Sequence, residues 1–134
     1  MTAPRRPALL WLLIAILAAE FAAVAALAVV SIVLLVTGSA GDFASGIALT
    51  IVIVLAALGL GATVVGAIRG RSWIRAASIV WQVLQVAVGI GALQGAVAQP
   101  AYGWPLIIVA VVAFILLFTR PVVAATSHRS EDAL

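Results

Sequence analysis

The sequence has no cysteine, no lysine and no asparagine, and only four acidic residues in 134. Without cysteine there is no disulfide, no thiolate metal ligand and no thiol nucleophile. The one histidine, His128, lies in a polar C-terminal stretch and is a poor start for a metal site. Charge of either sign is scarce, at 8% of the chain, against roughly 25% in a soluble domain. Also lacking are a Gly-rich phosphate loop after a strand, a Ser/His/Asp set and a pair of carboxylates close enough for acid–base work. These absences predict a non-enzymatic protein with no cofactor and no metal.

What is present is apolar. Hydrophobic residues make up 66% of the chain, and the mean hydropathy is +1.36. A soluble fold of this length could not keep so much apolar surface from water, so lipid is the fitting solvent. All seven basic residues are arginines, and the net charge is +3. They stand at the ends of apolar runs, where anionic headgroups and not nucleic acid are the expected counter-charge.

The apolar runs divide the chain. The first, Ala8 to Val36, is broken only by Glu20. At 1.5 Å per residue it reaches ~43 Å, more than the ~30 Å hydrocarbon core, and so must tilt or extend into the headgroups. Gly38-Ser39-Ala40-Gly41-Asp42 reads as a turn. The second run, Phe43 to Ile68, carries no charge and ends at Arg69-Gly70-Arg71-Ser72-Trp73-Ile74-Arg75. From Ala76 to Thr119 no charge occurs, which is too long for one crossing. Gln99-Pro100-Ala101-Tyr102-Gly103-Trp104-Pro105 divides it, with Pro105 suited to the first turn of a helix. The pattern therefore predicts an all-α bundle of four transmembrane helices, as two consecutive hairpins, over residues 8–36, 43–68, 73–98 and 104–119. Residues 1–121 form the membrane domain, and 122–134 read as a polar, disordered tail. The first run is too long for a cleaved signal peptide.

Orientation follows from arginine. Arg5 and Arg6 precede the first helix, Arg69, Arg71 and Arg75 join the second to the third, and Arg120 and Arg129 follow the fourth. An even number of crossings puts all seven on one face. The positive-inside rule makes that face cytoplasmic, with both termini inside a bacterial plasma (inner) membrane. Trp11 and Trp73 would mark the inner interface, Tyr102 and Trp104 the outer one. The loop Arg69, Arg71, Trp73 and Arg75 sets topology and offers a site for an anionic lipid headgroup.

Within the spans, Glu20 is the sharpest feature. It lies ~16 Å into the first helix, near mid-membrane. An acid at that depth costs a few kcal/mol, faces protein or water, and resides more cheaply in its neutral form. Ser31 lies eleven residues on, almost on the same stripe. On the third helix Ser78, Gln82, Gln85 and Gly89 form one polar stripe. Glu20, Ser31, Ser78, Gln82 and Gln85 are thus an expected intramembrane polar cluster, with Glu20 bonded to Gln85 or Gln82. Three roles fit Glu20: interhelical glue, a proton or cation site in a small transporter or channel, and pairing with another membrane subunit. Gly61 and Gly66 on the second helix and Gly91 and Gly95 on the third offer faces for close helix packing, within the chain or in a homo-oligomer. The fourth helix is apolar all round and reads as facing lipid.

The stretch from Arg71 to Pro121 resembles short, uncharacterised four-helix membrane proteins common in actinobacteria, on Arg71-Ser72-Trp73-Ile74-Arg75, Gln82 with Leu84, Gly103 before Pro105, and the aliphatic run closing at Pro121. That resemblance implies only a multi-pass membrane protein. Ala15-Ile16-Leu17-Ala18-Ala19-Glu20, with Trp81 after Ile79-Val80, is similar to the small multidrug resistance transporters. Their membrane-embedded glutamate binds protons and cationic drugs, and the similarity implies such a site at Glu20. The expected role is an accessory or assembly component of the membrane; the alternative is a small proton-coupled transporter or channel using Glu20.

Overall fold

The computed structural model describes residues 5–94 and 98–132. Among these the chain is all helical, with α1 Ala8–Val36, α2 Phe43–Ile68, α3 Ile74–Gln94, α4 Pro100–Phe118 and α5 Arg120–Asp132. The first four are long and apolar enough to cross a membrane. Lipid offers the backbone no hydrogen-bond partner, so each crossing closes its own ladder as a helix.

The helices end where the backbone is told to. Gly38 takes φ +73°, a left-handed value that side chains resist, while Ser39 N–H reaches back to the Leu34 carbonyl at 2.9 Å. Gly70 does the same after α2 at φ +69°, with Arg71 N–H on the Gly66 carbonyl at 2.8 Å. Asp42 caps α2: its carboxylate accepts from Ser45 N at 3.0 Å and Ser45 Oγ at 2.6 Å.

The helices form a ring of antiparallel neighbours. Hairpin mates pack closely, α1 on α2 and α3 on α4, while the seams α1/α4 and α2/α3 touch more sparingly. The start of α1 meets the end of α2 through Arg6 Nη1 on the Ile68 carbonyl at 2.6 Å. The start of α3 meets the end of α4 through the Arg75 guanidinium over the Phe118 ring at 5.3 Å. Arg5, Arg6, Arg69, Arg71, Arg75 and Arg120 therefore gather at one end of the bundle, and Asp42 lies at the other. The main core is also at the arginine end, where Leu13, Leu17, Leu60, Ile74, Leu117 and Val122 are almost fully buried.

Three boundaries differ from the sequence reading. Helix α3 does not run to residue 98: Gln99 N–H folds back onto the Ala92 carbonyl at 2.7 Å. Helix α4 begins at Pro100 and not at Trp104, because Pro100 takes the first position, where its missing N–H costs nothing. Pro105 then falls inside the helix and removes one ladder bond. The expected disordered tail is instead helix α5 as far as Asp132. Thr119 takes an extended conformation (ψ 143°) and turns the chain. Val122 and Thr126, four residues apart, are then buried where α5 lies on α1 and α4.

Candidate intramembrane polar site

Helix α3 is built inside out. Its buried residues are Ile74, Ser78, Gln82, Gln85 and Gly89, so the polar stripe is the protein-facing one. Val80, Val83, Leu84 and Val88 face outward. In lipid this is the economical arrangement, since a buried amide finds partners that hydrocarbon cannot supply.

Glu20 reaches from α1 across the bundle to α3. Its Oε2 accepts from Trp81 Nε1 at 3.0 Å and from Gln82 Nε2 at 3.2 Å. Of the two glutamines expected beside it, Gln82 makes the bond. Gln85 also lies beside Glu20 in one groove, and its Nε2 donates to the Leu106 carbonyl of α4 at 3.0 Å. Ser78 is fully buried one turn before Gln82. Ser31 does not join this group. Its hydroxyl pairs with Thr50 Oγ1 at 2.7 Å, and eleven residues of helix hold it about 16 Å from Glu20. Thr50 Oγ1 donates to the Gly46 carbonyl at 2.8 Å, so Ser31 is the donor of that pair.

Trp81 and Thr50 belong to this polar framework and were not among the residues singled out for it. Trp81 carried a signal: an indole N–H at mid-span must find an acceptor, and it adjoins Gln82. Thr50 carried none, because a helical threonine ordinarily bonds its own fourth-preceding carbonyl, as Thr63 does to Gly59 at 2.8 Å.

The glycines divide by use. At Gly61 a Cβ would lie 2.8 Å from the Phe21 ring of α1, and at Gly66 2.7 Å from Ile74. Gly91 has open space and packs on no other helix among the described residues. Gly95 lies outside the described residues. The close helix approach of α3 is made by Gly89 and Gly103, where a Cβ on Gly103 would stand 2.9 Å from the Gly89 carbonyl. Of the basic loop, Arg71 and Trp73 are exposed, whereas Arg75 is half-buried against Phe118.

Two lateral grooves flank the polar bond. One, of about 350 Å³ between α1 and α4, is lined by Ile16, Glu20, Ala23, Gln85, Leu106 and Val109 among others. The other, of about 260 Å³ between α2 and α3, includes Gly59, Thr63, Val80, Trp81 and Leu84. The Trp81–Glu20 hydrogen bond thus joins residues that line opposite sides of the seam.

No family model, curated protein or solved structure matches this chain. The functional reading therefore rests on this geometry. It comprises a multi-pass helical bundle, one intramembrane acid bonded across its diagonal, and walls that are otherwise apolar.

Proposed function

We propose that this chain is a non-enzymatic multi-pass protein of a bacterial inner membrane, with both termini cytoplasmic, acting as an accessory or assembly component. The observation that carries this reading is the use made of Glu20. Its Oε2 ties α1 to α3 through Trp81 and Gln82, and so fastens one hairpin to the other. The groove beside it is walled chiefly by aliphatic side chains, which suits lipid or a neighbouring helix better than a hydrated solute. The arginine end, with Trp11 and Trp73 exposed beside it, would sit among anionic headgroups on the cytoplasmic face.

Isolation from native membranes, with cross-linking, tests this. A stoichiometric complex with other membrane subunits, or with further copies of the chain, is expected. It should survive Glu20→Gln, which keeps an acceptor for Trp81. Liposomes holding the pure protein should show no pH-driven flux. A flux that titrates with pH and vanishes in Glu20→Gln, without a reproducible complex, would overturn the reading in favour of a small proton-coupled transporter. One observation favours that second reading: the other carboxyl oxygen, Oε1, is buried and has no hydrogen-bond partner.

A further inference from the structure

Four buried side-chain atoms among the described residues make no hydrogen bond: Arg75 Nε, Ser78 Oγ, Gln82 Oε1 and Glu20 Oε1. They are not scattered. Residues 75, 78 and 82 follow one another at spacings of three and four along one stripe of α3, and Gln82 is bonded to Glu20. The stripe begins at the arginine end of the bundle and finishes at the mid-span acid.

The chemistry of the four atoms is ordered too. Arg75 Nε only donates, Ser78 Oγ donates and accepts, and Gln82 Oε1 and an ionised Glu20 Oε1 only accept. Steps of three and four residues rise about 4.5 and 6 Å. The Gln82 side chain leans back toward Ser78 along the helix, so a water with hydrogen bonds of about 2.8 Å can bridge the longer step. A water accepting from Ser78 and donating to Gln82 Oε1 and Glu20 Oε1 has the two to four polar partners that buried water requires.

We infer that this stripe is a one-sided proton path: Glu20 exchanges its proton with the arginine-bearing face through Ser78 and a short file of water held by Arg75 and Gln82. The proton enters from water at that face. At each transfer an O–H bond forms on the accepting oxygen as one breaks on the donor, through the Ser78 hydroxyl and the file, until the last forms on Glu20 Oε1. Gln82 relays nothing; its carbonyl holds the final water while its amide holds Oε2. Helices α2 and α4 carry no charged residue, Arg75 is the one charge on α3, Arg120 opens α5 at the arginine-bearing face, and Tyr102 of α4 is exposed at the far end. This inference is independent of the assembly reading, because failure to find a complex would leave proton exchange untouched.

Infrared spectroscopy of the full chain in phosphatidylcholine–phosphatidylglycerol bilayers, transferred to heavy water, tests it. A protonated carboxyl band that is lost in Glu20→Gln is expected, and its isotope exchange should be slowed in Ser78→Val and retained in Ser78→Thr. Val and Thr have nearly the same shape, so the pair isolates the hydroxyl. Thr50→Val, in the opposite half of the bundle, should leave the exchange rate unchanged. If Ser78→Val does not fold, Arg75→Met against Arg75→Lys carries the same comparison at the mouth. Absence of any band removed by Glu20→Gln, equal exchange within the variant pair, or equal slowing by Thr50→Val would each overturn the path.

Discussion

Single side chains fix the ends and the centre of this molecule by hydrogen bonds that lipid cannot replace. Asp42 is the clearest case at an end. The Ser45 hydroxyl and the Ser45 backbone N–H hold its carboxyl below the ordinary value of 3.8. A carboxyl lowered in this way stabilises the fold fully above its unfolded value, and the contribution fades as pH falls through the lower folded one. Asp42→Ala should therefore reduce stability modestly at neutral pH, and the gap from the parent should narrow on acidification below 3.8. Unfolding of both proteins in detergent, followed by circular dichroism across pH, reads this directly. At the centre, the stripe Ser78, Gln82, Gln85 and Gly89 was legible from spacing alone, because amides in a membrane helix must turn inward. Which glutamine meets Glu20 was not legible. That depends on the rotation of α3 about its axis, which is set by where Gly89 lets α4 approach. The expected place of Ser31 in the same cluster failed for a plainer reason: a shared stripe fixes direction and not depth.

Among elements, the four crossings could be read from the runs of apolar residues, since helix is the one local solution that lipid allows a single segment. Their contacts could not be read so well. The small-residue pattern at Gly91 looks like a packing face, yet Gly91 meets nothing, while Gly103, beside two prolines, is the close point of α4. A Cβ at Gly103 would press on the Gly89 carbonyl and on Leu93, and a backbone carbonyl cannot move aside cheaply. Gly103→Ala should cost about 1–3 kcal/mol as the helices part. Gly91→Ala should be neutral or slightly stabilising, since it only improves helix propensity. Reversible unfolding of the two variants side by side checks the contrast. Helix α5 escaped the sequence reading because its tail is polar. The signal lay in its first half, where Arg120-Pro121-Val122-Val123 follows Thr119, a threonine able to end one helix and start another.

At the scale of the whole molecule, the arrangement is two helical hairpins joined by a sparing seam, with the arginines at one end. If that end is cytoplasmic, a tag before Arg5 and a tag after Leu134 should both label only after the membrane is opened, and a tag in the Ser39–Gly41 turn should label from outside. Accessibility labelling of intact cells and of inverted vesicles distinguishes this topology from its mirror. The core common to both hairpins, from Leu10 through Leu17 to Leu117 and Val122, fills only the arginine-bearing half. Beyond Glu20, α1 has Ala28 as its one buried residue. Cohesion is accordingly graded across the thickness of the bilayer. Thermal opening will start in the leaflet on the Asp42 side, where lipid tails can wedge between the halves, and will stall at the depth where indole and carboxyl clasp.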